Sequence, residues 1–227
     1  MKKLFSLFMA AMMVFTVSYA QTARETIKER KQIAKYSASE LNKRASKAAK
    51  KEAKTLKKEG WVVAPGQLPL EKQLDRSYEM YYEFEEGGMP KYVIGNAMSV
   101  GEIYDAANRQ ARQLAIEDLA AQIQSEVTAL VESTVANEQI SQDDAASVAR
   151  TVAASKSLIA QRLGRVISVM ECYRPQKNGS VQVRVTLAYN AKMAIDDAKA
   201  VVRKQLEEKG EDLHNQLDAI WGQFEKQ

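Results

Sequence analysis

The sequence predicts an α+β fold, a small antiparallel sheet packed against long helices and preceded by a basic helical arm. Three observations predict it. Apolar residues recur every three to four positions along most of the chain, and only ten glycines and four prolines interrupt them, so long helices can run unbroken. Three shorter runs, at residues 92–98, 165–173 and 181–189, are β-branched or alternate apolar with polar, which is the strand period. The last two flank Asn178-Gly179, a dipeptide suited to the tight turn of an antiparallel hairpin. The order is strand, long helix, helix, strand, strand, helices. It predicts one α+β body with helices on one face of the sheet, a signal segment at 1–20, an arm at 21–60 and the body at 61–227.

The signal segment comes first. Lys2 and Lys3 precede an apolar run from Leu4 to Val17, and Ser18-Tyr19-Ala20 sets small residues three before and one before a cut. That is the layout of a secretory signal peptide, and the run is shorter than the ~20 residues of a membrane span. Cleavage puts Gln21 at the new terminus. No cysteine follows the cut, so the segment does not read as a lipoprotein signal. The expectation is an exported protein, in the periplasm or peripheral to the outer membrane, with no transmembrane span after cleavage. The single Cys172 leaves no internal disulfide, so packing alone must hold the fold.

The arm carries the charge. Residues 22–59 hold thirteen Lys/Arg against five Glu, a net +8, while 60–227 hold eighteen against twenty-four acids, a net −6. Ile27, Ala34, Leu41 and Ala48 recur every seven residues, a thin apolar stripe on a helix rather than a coiled-coil seam. Gly60 stands where a helix C-cap belongs. Arg44, Lys47, Lys50, Lys51, Lys54, Lys57 and Lys58 crowd one stretch and read as surrounding most of the helix circumference. They are the candidate anionic-surface site. Outside the cytoplasm, lipid headgroups or an acidic polymer fit them better than nucleic acid. The competing reading is a solvated helix docked on the acidic body of the same chain.

In the body, Pro65-Gly66 turns the chain and Pro69 suits the first turn of a helix marked by Leu70, Leu74 and Tyr78, running to about Tyr82. Tyr78, Met80, Tyr82 and Phe84 also alternate as a strand would. The 87–90 stretch is a turn. Ser99 and Glu102 have capping-box spacing and are expected to open the longest helix. Its face is Ile103, Ala107, Ala111, Leu114, Ile123, Val127 and Leu130, to about Ala136, roughly 50 Å at 1.5 Å per residue. Alanines near its start let a neighbour approach closely. After a polar break at 137–141, Ser141 caps a helix marked by Val148, Val152 and Ile159, which Gly164 ends. After the hairpin, Ile195, Ala198 and Val202 line one helix. Leu213, Leu217, Ile220, Trp221 and Phe224 line another beyond Gly210.

Catalytic chemistry finds little support. His214 is the only histidine, on the polar side of its helix, and no Gly-x-Ser-x-Gly elbow exists. Cys172, among Val169, Met170 and Tyr173, reads as a small buried side chain. One His and one Cys cannot build a nitrogen–sulfur metal site, and the acidic pairs Glu85-Glu86, Asp143-Asp144 and Asp196-Asp197 lack calcium-loop spacing. No cofactor is called for. Tyr78, Tyr81, Tyr82, Tyr92 and Phe84 read as packing before they read as a binding wall. Gly95-Asn96 reads as a strand-to-helix turn before an anion site.

One stretch resembles a known family. VIGNAMSVGEIYDAANRQARQLAIEDLAAQIQSEV, RVISVMECY and VQVRVTLAY set a strand, an alanine-rich helix and a hairpin in the order of the lipoprotein-20-like family, which includes the N-terminal domain of the flagellar protein FlgT. Residues 93–195 resemble it, about half the chain after cleavage. Asn96 stands where that family favours a smaller residue, and its lipid-anchoring cysteine is missing. The resemblance implies a non-catalytic protein of the cell envelope. The function expected is therefore a binding or structural role in the envelope, without enzymatic activity. The alternative is a peripheral membrane or polyanion binder acting through the arm. Self-association through the arm's apolar stripe is a further expectation.

Overall fold

The computed structural model describes residues 38–85, 89–136, 141–208, 217–218 and 221–222. The signal segment, the first part of the arm, His214 and most of the last helix lie outside the described residues. Within them are six helices and one three-stranded sheet: α1 (Ala38–Lys58), α2 (Leu70–Tyr81), β1 (Tyr92–Gly101), α3 (Tyr104–Ala136), α4 (Gln142–Ala154), α5 (Lys156–Arg162), β2 (Ile167–Pro175), β3 (Val181–Asn190) and α6 (Ala191–Glu208).

The strand order is β1-β3-β2, antiparallel throughout. β1 runs against β3 from Tyr92↔Asn190 to Gly101↔Val181. β2 closes the hairpin from Ile167↔Ala188 to Pro175↔Val181, with Val169 the extra residue of a bulge. The turn between them uses Gly179 at φ +84°, a left-handed position that suits glycine.

Helices cover both faces of this sheet, not the one face expected. On one side α3 lies over β1 and β3, burying Ala107, Ala111, Ala115, Leu119, Ile123 and Val127 against Val93, Val183, Val185, Leu187 and Tyr189. The alanines do what their size allows. A Cβ on Gly95 would stand 2.4 Å from the Ala115 carbonyl oxygen, so helix and strand touch backbone to backbone. α4, α5 and α6 complete this layer. On the other side α1 and α2 pack Ala49, Ala53, Leu56, Leu70 and Leu74, with Trp61, on Met170 and Cys172. That second layer explains why β3 is buried on both faces, Thr186 and Ala188 included, instead of leaving one face wet.

Local signals explain most boundaries. Gly60, at φ +88°, and Trp61 end α1 in a Schellman motif: the Trp61 N–H donates to Leu56 O at 3.0 Å, the Gly60 N–H to Lys57 O at 3.1 Å, and Trp61 and Leu56 are buried together. Pro69 sits at the N-cap of α2, one place earlier than the first turn, and its carbonyl accepts from Lys72 and Gln73. Ser141 caps α4, its hydroxyl accepting from Asp144 N–H at 3.1 Å.

Four expectations are corrected. Ser99 and Glu102 do not form a capping box: pairing with β3 extends β1 through Gly101, and the Ser99 hydroxyl is buried, donating to Ala107 O. Gly95-Asn96 is accordingly mid-strand, not the approach to a helix N-terminus. Ile103 and Leu114 are exposed, because the buried stripe of α3 runs through Ala107, Ala111 and Ala115. The helix expected to reach Gly164 breaks at Ser155, whose buried hydroxyl donates to Thr151 O at 2.7 Å while its N–H tightens onto Val152 O at 3.1 Å.

Candidate functional site

α1 has two opposite faces. At about 100° per residue, positions 44, 47, 50, 51, 54, 57 and 58 fall within about 140° of arc, and 49, 53 and 56 fall across from them. The basic residues therefore do not ring the helix. Ala49, Ala53 and Leu56 are buried on the body, while Lys47, Lys50, Lys51, Lys54, Lys57 and Lys58 are exposed together on the far side. The side chain of Arg44 lies outside the described residues.

The helix docks through apolar atoms, acids and a serine, not through its lysines. Glu52 Oε1 stands 3.5 Å from Arg184 Nη1 on β3, and Glu52 Oε2 accepts from the Tyr78 hydroxyl of α2 at 2.9 Å. That hydrogen bond, then burial, raises the Tyr78 pKa. Ser46 donates to Asp75 at 2.8 Å. Arg174 stacks over Trp61 at 5.0 Å, a cation–π contact at the end of the helix. Of the six lysines, Lys50 has an acid near it, Glu71 at 4.0 Å; no ion pair among the described residues engages the other five. The helix is thus docked on the body, as the competing reading expected, with its lysines facing away from it.

A second cluster went unread in the sequence. Glu171 of β2 is buried, and its carboxylate gathers four partners. Oε1 accepts from the Tyr104 hydroxyl, from Asn108 Nδ2 at 2.9 Å and from Gln67 Nε2 at 2.9 Å; Oε2 lies 3.6 Å from Arg112 Nη1. Its backbone N–H donates to Gln73 Oε1 at 2.7 Å. Burial, then the bond to Glu171, raises the Tyr104 pKa, so that phenol stays a donor. Tyr104 meets Tyr173 edge-on at 5.1 Å. Three donors converge on Oε1 and a guanidinium stands beside Oε2, so the group ties α3, β2 and the 62–69 connection together. The signal was available: Tyr104, Asn108 and Arg112 recur every four residues, one polar stripe opposite a lone acid in an apolar strand.

The remaining candidates fall into place. Cys172 is buried and burial pushes its thiol up to about 11, so it is a neutral packing residue. Asp144 serves the α4 cap, and Asp197 accepts from the Tyr189 hydroxyl at 2.7 Å and pairs with Arg162 at 3.0 Å. Tyr78 and Tyr92 pack against the sheet, whereas Tyr81 and Tyr82 are exposed and meet edge-on at 5.2 Å. Among the described residues no three His, Cys, Asp or Glu side chains converge to hold a metal, and no helix is long and apolar enough to cross a membrane. Compared with known proteins, the chain matches no family model, no curated sequence and no solved structure.

Proposed function

We propose that this is an exported, non-enzymatic protein of the cell envelope that holds to an anionic surface through the lysine face of α1. One observation carries the reading: six exposed lysines share one face of a helix whose opposite face is docked in the core. A flexible basic tail would lose conformational freedom on binding, whereas a docked helix presents its charges already ordered. Each lysine near an anionic surface contributes about 1 kcal/mol, so six suffice for salt-sensitive attachment without an inserted apolar group. The exported address rests on the pattern of residues 1–20, and the lipoprotein-20-like resemblance of residues 93–195 fits an envelope protein without catalysis.

The test is co-sedimentation of the purified protein with vesicles of phosphatidylglycerol against vesicles of phosphatidylcholine, at low and high salt. Binding to the anionic vesicles alone, released as the screening length falls toward about 3 Å at 1 M salt, is the expected result. Binding that survives reversal of Lys47, Lys51, Lys54 and Lys58 to Glu would overturn it. Failure on vesicles with salt-sensitive retention on an acidic polysaccharide column would move the partner from lipid to polymer.

A further inference from the structure

Both edges of the sheet need covering, and they are treated differently. The outer edge of β2 is bonded by Val62, whose N–H and carbonyl pair with Tyr173 at 2.8 Å each, and by Gln73 at Glu171. The outer edge of β1 is closed over half its length. Asp118 Oδ2 accepts from the Asn96 N–H at 2.9 Å, and Gln122 Nε2 donates to the Ile94 carbonyl at 2.8 Å. Residues 94 and 96 thus turn their backbone groups outward. By the alternation of an antiparallel strand, Met98 and Val100 do the same.

Among the described residues nothing caps those two. α3 runs antiparallel to β1, and four helical residues span about 6 Å, close to the ~6.8 Å of two strand residues. The stripe that sets Gln122 beside Ile94 and Asp118 beside Asn96 continues with Leu114 beside Met98 and Gln110 beside Val100. Leucine has no group to bond a strand, and no side chain among the described residues bonds the backbone of Met98 or Val100. Around this gap the chain exposes Met98 (45%), Val100 (49%), Ile103 (60%) and Leu114 (39%). A bare strand edge beside apolar side chains is a template for another strand.

We infer that the occupant is β1 of a second copy of this chain, added antiparallel about a twofold axis at Ser99. The uncapped residues are symmetric about that point. Met98 of one copy then faces Val100 of the other and exchanges both N–H···O bonds with it, so the open groups satisfy one another. Side chains opposite each other lie on one face, giving a Met98–Val100 contact on each side of the axis. The flanking positions also match. Glu102 of one copy meets Asn96 of the other. Asn96 accepts the Thr186 hydroxyl at 2.7 Å through Oδ1, which leaves its NH2 free to donate to that carboxylate. Capped Asn96 comes opposite Glu102, one residue past the end of β1, and capped Ile94 opposite Tyr104, where α3 begins, so the strand pairing stops short of both and the Asp118 and Gln122 bonds stay within their own chain.

The helices fit the same axis. α3 covers both β1 and β3, so adding a strand at sheet spacing sets the two α3 axes about 10 Å apart, the separation of packed helices. Nearest the axis the facing residues, Gln110 and Leu114, carry no charge, so no like charges oppose each other there. The result is one continuous sheet made from two three-stranded ones.

Sedimentation velocity across the micromolar range, on protein recovered from cells expressing the full chain, tests this. The expected result is a concentration-dependent dimer that the double change Met98→Lys and Val100→Lys abolishes, with circular dichroism unchanged. Leu114→Glu, at an exposed helical site, weakens the dimer by roughly tenfold and carries the test if the double variant fails to fold. A monomer at every concentration would overturn the inference. So would a dimer indifferent to these changes, or one lost only when the lysines of α1 are reversed.

Discussion

Glu52 lies 3.5 Å from Arg184, an acid of the basic helix paired with a base on the central strand of an acidic body. The pair runs against the net charge of both partners. It fixes which way α1 is turned, because Tyr78 donates to the same carboxylate from α2. With Ala49 and Ala53 buried beside it, the helix can dock only with its lysines outward.

Replacing Glu52 with Ala removes a half-exposed ion pair and one hydrogen bond. The expected loss is about 1 kcal/mol of stability, concentrated in faster amide exchange across α1 and α2, with the sheet protected as before. Equal loss of protection in β3 would contradict a contact that merely seats the helix.

Charge on the outward face should act by number, not by position. Successive Lys→Gln changes at 47, 51, 54 and 58 are expected to weaken binding to phosphatidylglycerol vesicles by about 1 kcal/mol each, and to flatten its salt dependence in step. Thermal unfolding should stay within about 0.5 kcal/mol of the parent, since none of these four has an ion-pair partner among the described residues. Vesicle titration and calorimetry on the same variants separate the two effects.

Gly95 is needed for its missing side chain. A Cβ there would meet Ala115 O at 2.4 Å and Leu119 Cγ at 2.7 Å, and the carbonyl cannot move without its helix. Gly95→Ala is expected to cost about 3 kcal/mol in urea unfolding. Gly66→Ala, with no atom within 4 Å of the new Cβ but φ at +85°, should cost less, about 1 kcal/mol from backbone strain alone.

Removing the carboxylate at Glu171 should be among the most damaging single changes. Glu171→Ala strands Tyr104 and Asn108 as half-buried donors and leaves Arg112 without its carboxylate, at a cost of about 3 kcal/mol. Glu171→Gln keeps the shape and an acceptor and should cost less. A reversed ranking in chemical denaturation would refute the clasp.

Alkaline pH should unfold the protein in a defined window. Burial raises Cys172 from 9.0 to about 11, and burial with the Asp197 hydrogen bond raises Tyr189 from 10.0 to about 12. Both groups favour the neutral form in the fold, so the unfolded chain releases its protons first as pH rises. Their contribution is complete below about pH 9 and is lost between about pH 9 and 12. Cys172→Ala should flatten the lower part of that decline, measured as unfolding midpoint against pH.

Strands and helices were legible wherever one period dominated. Val181 to Tyr189 alternate without a break, Asn178-Gly179 fixes the turn, and Ser141 with Asp144 marks a helix start that the structure keeps. Ser99 and Glu102 carry an equally good local signal and lose. Ten pairs with β3 outweigh one cap, and no local rule counts pairs across ninety residues. The lysine face was half legible. Composition located it, but only the burial of Ala49, Ala53 and Leu56 shows which side of the helix is left over. For Glu171 the sequence holds the polar stripe of Tyr104, Asn108 and Arg112 but not its destination: the partners lie some sixty to a hundred positions away, and only the fold brings Gln67, Asn108 and Arg112 to one carboxylate.

The strand order has a consequence for the timing of assembly. Among the described residues β3 is the last strand synthesised and the one that both others touch, so β1 and β2 gain no strand of the sheet to pair with until residues 181–190 exist. At ribosomal speeds of about 5–20 residues per second, β1 waits roughly 5–20 s for its partner. Throughout that interval the chain has no sheet to lock it. A sheet whose keystone arrives late leaves the chain unlocked for most of its synthesis.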